Sequence, residues 1–187
     1  KALSTTFTIP SNTSYLRVSN ASNMYTNMDS TTYATVNHTR SRTTSYYIYV
    51  KGFNFDDIPA DAIINSAIVK VRAKVTSASS YTPALYNNTT SLSKSLDGTI
   101  GTTATTRTVD ITSNWETYKG YGSNFGIGLR LNRSSRYTAS SMNIYGAEIL
   151  VDYTIPVYHT VSTSITGGTL RSPTVASATV RDGANYE

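Results

Sequence analysis

Three arginines, Arg130, Arg133 and Arg136, crowd into "LRLNRSSRYTASS" (129–141), and Tyr137 follows them. A guanidinium fork pairs with carboxylate or phosphate, and a tyrosine ring offers a flat face with a polar tip. Such a group suits recognition of something acidic or hydroxyl-rich. Tyr118, Tyr121 and Tyr145 stand on either side in sequence, and with Arg133, Arg136 and Tyr137 they make the candidate contact surface. The plainer reading is a wet turn between two strands. Alternation gives Leu129 and Leu131 to a buried face, so Arg130 points outward from a strand while Arg133 and Arg136 belong to the turn.

Catalysis needs titratable groups that converge, and few are on offer. The two histidines, His38 and His159, have no carboxylate or second histidine at metal-ligand spacing and read as exposed strand or loop residues. Paired carboxylates of a glycosidase would have to come from 11 acids, several in evident turns. "GYGSNFG" lacks the lysine of a phosphate-binding loop and reads as a glycine turn into a strand. No catalytic residue, no metal site and no enzymatic activity are expected. Asp56, Asp57 and Asp61 could hold a structural calcium with carbonyl help, but a solvated acidic turn is the favoured reading and no cofactor is expected.

Trp115, the lone tryptophan, could stack against a sugar; closing one end of a core is the favoured alternative. Tyr46, Tyr47 and Tyr49 sit on one strand. They suit either an adaptable contact surface or cross-strand aromatic pairing, and both readings stay open. Lys70, Arg72 and Lys74 read as the polar face of a half-exposed strand, one that would also discourage edge-to-edge pairing.

The elements that must carry these residues are strands. Only 14% of the 187 residues are charged, against about 25% in ordinary globular domains. Serine, threonine, asparagine and 15 tyrosines fill the gap, the composition of many short strands joined by turns. The net charge of +5 is scattered without a dense basic run, so nucleic acid is not expected as a partner. There is no cysteine to form a disulfide, and no apolar run approaches the roughly 20 residues that insert across a membrane. The start, "KALSTTFTIP", lacks an initiator Met and a signal-peptide core and reads as a cut edge.

Along the chain, Leu3, Thr5, Phe7 and Ile9 alternate as one strand, and residues 10–44 read as long loops with weak edge strands at "SYLRVS" and "TYATVN". Strong strands follow at "SYYIYVKGFNF" and "INSAIVKVRAKVTSA", divided by a turn at "DDIPADA". Shorter ones are expected at "TPALYN", "SLSKSL" and "TTRTVDIT". Ser113 and Glu116 form a capping-box pattern that predicts one short helix over about 114–119, stopped by Gly120. "NFGIGLRL" puts Phe125, Ile127, Leu129 and Leu131 on one face. In the return strand Gly146 marks a bulge, because strict alternation would set Ile144 and Ile149 on opposite faces. After Pro156 the pattern restarts with two strands, a Gly167-Gly168 turn between them and an Asp182-Gly183 turn after them. Two strands alone are marginal. The tail is therefore either the start of a further domain or a segment that pairs with a neighbouring subunit.

Together, "YYIYVKGFNFDDIPADAIINSAIVKVRAKV", "DITSNWETYKGYGSNFGIGLRLNRSSRYTASSMNIYGAEILVDYTIP" and "ITGGTLRSP" resemble a recurrent phage module. It is similar to the β-sandwich domains of minor structural, tail-fibre and head-fibre proteins from phages of Gram-positive bacteria. The F-x-F-x-x-IP turn, the strand after it, the Trp-bearing helix and the G-I-x-L strand also resemble the DNRLRE-type jelly rolls of secreted and surface proteins. The likeness covers about residues 45–156, and it implies a jelly-roll sandwich, a virion-surface or adhesive role and a following Ig-like domain. It supplies no catalytic residue.

The expected fold is all-β: a jelly-roll-like antiparallel sandwich with one short helix over residues 1–156, then a partial Ig-like β-domain over 157–187. The expected function is a non-enzymatic structural or adhesion protein on the virion surface, as a head fibre, capsid decoration or tail appendage. Its partners would be other virion proteins, copies of itself in a homo-oligomer and a cell-surface glycan, with no nucleic acid and no membrane insertion. The alternative is a carbohydrate-binding module of a bacterial surface or secreted protein.

Overall fold

In "INSAIVKVRAKV" apolar and polar residues alternate, and a strand sends every second side chain to the same face. The computed structural model, which describes residues 2–3, 6–8, 16–25, 28, 31–38, 45–76, 81–132, 140–162 and 177–183, makes this segment the long strand β6 (Ile63–Val75). Ala67, Val69, Val71, Ala73 and Val75 are buried on its inner face. The same rule yields β1 (Ala2–Leu3), β2 (Thr6–Thr8), β3 (Leu16–Ser19), β4 (Ala34–His38), β5 (Ser45–Lys51), β7 (Ala84–Asn87) and β8 (Thr90–Ser95). It continues in β9 (Thr105–Asp110), β10 (Phe125–Asn132), β11 (Ser140–Thr154), β12 (Tyr158–Ser162) and β13 (Ser177–Arg181), with one short helix, α1 (Trp115–Gly120).

The strands form two antiparallel sheets and a separate pair. Sheet A runs β3-β4-β11-β6-β9, with β1 also on β11; sheet B runs β2-β5-β10-β7-β8. Strand β4 pairs with β11, β5 with β10, β6 with β9 and β7 with β8. That nesting is a long antiparallel hairpin rolled so that its strands alternate between two layers, which is jelly-roll topology. The core fills the space between the layers. Phe125, Ile127, Leu129 and Leu131 of β10, with Ile48 and Val50 of β5, join the inner face of sheet A in one cluster.

Gly146 lies at a register shift in the β6–β11 pairing. The shift re-phases β11, so that Ile144 and Ile149 are both fully buried, as the broken alternation required. Outside the bulge, residues 21–25 and Met28 lie against sheet A. A Cβ on Gly146 would come within 3.1 Å of the Met24 carbonyl and the Met28 side chain.

Three expectations are corrected. "LSTTFTIP" is not one strand: β1 joins sheet A and β2 joins sheet B, so the chain changes layer between them. Strand β6 lies inside sheet A between β11 and β9, so Lys70, Arg72 and Lys74 guard no edge. Arg72 instead donates to the Met28 carbonyl at 2.9 Å and stacks 4.7 Å from the Tyr145 ring centre. The capping box does not form. Helix α1 starts from Asn114 with no side-chain cap, after a 3-10 turn at Thr112–Asn114. The helix does end at Gly120, as expected, and the left-handed residue beyond it is Gly122, at φ +54°.

Beyond buried Pro156, β12 and β13 form a two-stranded antiparallel sheet of their own, with a turn at 182–183. The Tyr158 hydroxyl is hydrogen-bonded to the Asp61 carboxylate in the β5–β6 connection, tying the pair to the sandwich. The Gly167-Gly168 turn lies outside the described residues.

Candidate functional site

Alternation along β5 that buries Ile48 and Val50 turns Tyr47, Tyr49 and Lys51 to the outer face of sheet B. On β10 the same face carries Gly126, Gly128 and Arg130, paired with Lys51, Tyr49 and Tyr47 in that order. On β7, Tyr86 stands opposite Gly126. Glycine is what allows the tyrosines of β5 and β7 to meet across the strand between them. A Cβ on Gly128 would lie 2.3 Å from Cε2 of Tyr86, so any other residue would displace that ring.

The rings form one cluster. Tyr49 and Tyr86 meet edge-to-face with centres 5.1 Å apart, Tyr47 stacks on Tyr49 at 6.2 Å, and Tyr47 tilts against Tyr86 at 6.0 Å. Tyr49 and Tyr86 are buried, whereas Tyr47 keeps 36% of its surface. The guanidinium of Arg130 lies 4.3 Å from the centre of Tyr81 and 5.6 Å from that of Tyr47. The result is an exposed tyrosine backed by two buried ones, beside an arginine oriented by rings. This is a rigid amphipathic surface, because little rotamer freedom remains to be lost on contact.

Electrostatics follow the packing. The Tyr86 phenol is pushed up to about 12, first by burial, then by the neighbouring Tyr47 phenol and a hydrogen bond with it; a hydrogen bond with Ser91 acts the other way. Tyr49 is raised by burial and then by Tyr47. These phenols stay protonated at neutral pH and offer O–H donors without charge.

Of the six expected contact residues, Arg133, Arg136 and Tyr137 lie outside the described residues. The other three do not form one surface. Tyr118 of α1 is buried, stacked 5.2 Å from Phe125, with Tyr121 6.4 Å away. Burial, then Tyr121, raises the Tyr118 phenol. Tyr145 is on sheet A, buried between Arg72 and Tyr33, whose ring centre is 5.2 Å from its own. Trp115 is 3% exposed and meets Phe55 edge-to-face at 5.3 Å, so it closes the core at the helix end.

That end also carries a cleft of about 590 Å³ between the 52–60 connection and the turn after α1, with Asp56, Lys119 and Ser123 among its polar lining. Asp61 accepts the Tyr158 hydroxyl. Among the described residues no three His, Asp or Glu side chains converge on one point. One histidine differs from expectation. His38 is 2% exposed, because β4 turns it inward with Ala34 and Val36 at the end of the core opposite Ser140. His159 is an exposed strand residue of β12, with the Asp182 carboxylate 3.5 Å away beside β13.

The surface on sheet B was only half legible. Tyr47, Tyr49 and the outward Arg130 follow from alternation, but nothing in "TPALYN" says that Tyr86 and Tyr81 will meet them. The available signal was the G-x-G-x-R spacing on the outward side of β10, which leaves room for rings from both neighbouring strands.

No protein-family model matches the chain, and no curated protein or solved structure matches it significantly. What stands is a mostly-β fold of two antiparallel sheets in jelly-roll order; no family follows from it. Among the described residues, no helix is long and apolar enough to cross a membrane.

Proposed function

We propose that this protein is a non-enzymatic binding and display module of a phage particle, in a head fibre, capsid decoration or tail appendage, and that the outer face of sheet B is its contact surface. The observation that carries the reading is the buttressed Tyr47 beside Arg130. Tyrosine and arginine are the residues favoured where a rigid, partly apolar surface must recognise polar partners. One exposed ring and one guanidinium make a weak single site, so useful attachment would come from many copies on one particle. The sequence resemblance to phage structural modules supports the virion setting, and the jelly-roll strand order agrees with the fold that it implies.

The same cluster also favours a carbohydrate-binding module of a bacterial surface or secreted protein. Assembly separates the two. A virion component forms a symmetric homo-oligomer or co-purifies with coat or tail proteins, and deletion of residues 1–15 or 157–187 lowers its incorporation into particles. A lone monomer that binds a glycan and is absent from particles defeats the virion reading and leaves the carbohydrate-binding one. Loss of surface binding on Tyr47→Ala tests the contact face in either setting.

A further inference from the structure

The five strands of sheet B read TFT, SYYIYVK, ALYN, TSLSKS and FGIGLRLN, and none holds an aspartate or glutamate. Sheet A, by contrast, carries Asp110, Glu148 and Asp152. Basic residues of both sheets are held by neutral oxygens and by rings. On sheet A, Arg72 donates to the Met28 carbonyl at 2.9 Å and Arg107 to the Thr99 carbonyl at 2.8 Å. On sheet B, Lys51 donates to the Asn88 side-chain oxygen at 2.9 Å. Arg130 lies on two aromatic rings, and its buried Nε finds no hydrogen-bond acceptor among the described residues. A guanidinium held by ring faces keeps its planar fork oriented, and among the described residues no carboxylate pairs with Arg130. Anionic groups are what such a fork binds best.

Resting on the reading of sheet B as the contact face, we propose that its ligand is an anionic saccharide polymer. A carboxylate or phosphate of the polymer pairs with Arg130, while a neighbouring sugar ring lies against Tyr47. A saccharide fits better than a nucleic acid. One exposed ring accommodates one sugar, whereas a single strand of nucleic acid asks for successive stacking rings along a basic groove. Exposed Ser91 and Ser95 of β8, the strand beside β7, suit a hydroxyl-rich chain.

The test measures binding of the full chain to immobilised polygalacturonate, a glycerol-phosphate polymer, neutral galactan and a single-stranded oligonucleotide, at two salt concentrations. At least one anionic saccharide should bind about tenfold or more tightly than galactan and weaken with salt. Arg130→Gln should remove most of that preference and Arg130→Lys restore part of it. Lys119→Gln, an equal loss of charge at the helix end, should leave it unchanged. The thermal midpoints of all variants report whether they fold. Binding by polygalacturonate alone or by the phosphate polymer alone identifies the anion. Equal binding of galactan overturns the anionic ligand but keeps the contact face, provided Tyr47→Ala abolishes it. Tighter binding of the oligonucleotide overturns the saccharide. An equal loss in Arg130→Gln and Lys119→Gln reduces the effect to net charge and overturns the site. No binding to any of the four defeats both the ligand and the contact face.

Discussion

Tyr86 lies over Gly128 with its phenol buried and hydrogen-bonded to Tyr47, and each condition penalises the ionised form. Its pKa of about 12 exceeds the value near 10 of an unfolded chain. The stability linked to this proton is therefore complete below pH 10 and is lost as pH rises through about 12. Denaturant midpoints measured from pH 9 to 12 should fall for the wild type and fall less for Tyr86→Phe. Parallel curves for the two proteins would mean that the phenol is not buried. His38 gives the opposite lesson about single residues. Its type and its weakly patterned neighbours suggest exposure, but it shares the inner face of β4 with Ala34 and Val36, on a strand paired on both sides by β3 and β11. A histidine carries no signature that separates the two fates.

At the scale of elements, α1 is too short to stand by propensity alone and has no side-chain cap, so what holds it is the face it buries. Trp115 and Tyr118 point inward, meeting Phe55 and Phe125 respectively, and they lock the β9–β10 crossing onto the end of the sandwich. Trp115→Ala should cost about 3 to 5 kcal/mol, and Trp115→Phe much less, read from urea midpoints at unchanged slope. A loss under 1 kcal/mol for the alanine variant would show that the helix does not close the core. The helix was readable from the sequence, because "TSNWETYKG" breaks the two-residue period. Its cap was not, because the Ser113 hydroxyl donates to the Asn114 side chain rather than capping the helix, while the Thr112 hydroxyl donates to the Asp110 carboxylate at 2.6 Å.

For the whole molecule, the two layers share one core, and the pair β12–β13 is joined to it through Pro156 and the Tyr158–Asp61 hydrogen bond. Ile155 and Val157, on either side of Pro156, are more than half exposed, so few apolar contacts cross the junction. A chain ending at residue 156 should keep the main unfolding transition within a few degrees of the full chain in calorimetry. A collapse of that transition would show that the tail contributes to the sandwich core.

Alternation in "INSAIVKVRAKV" and "NFGIGLRL" was enough to determine which side chains are buried, because a strand in a two-layer fold has one wet and one dry face. The broken period around Gly146 likewise announced the bulge. Pairing partners were another matter. That β1 and β2 belong to different sheets, that β6 is central, and that Tyr86 reaches Tyr49 across Gly128 are relations between segments far apart in sequence. Period-two patterning fixes the face of a residue but carries no record of the neighbouring strand, and register is settled only when both layers close over a common core. So the sequence determined the class of fold and the outward place of Arg130, Tyr47 and Tyr49. Only the tertiary structure decided that they form one surface, on a sheet whose strands hold no acidic residue.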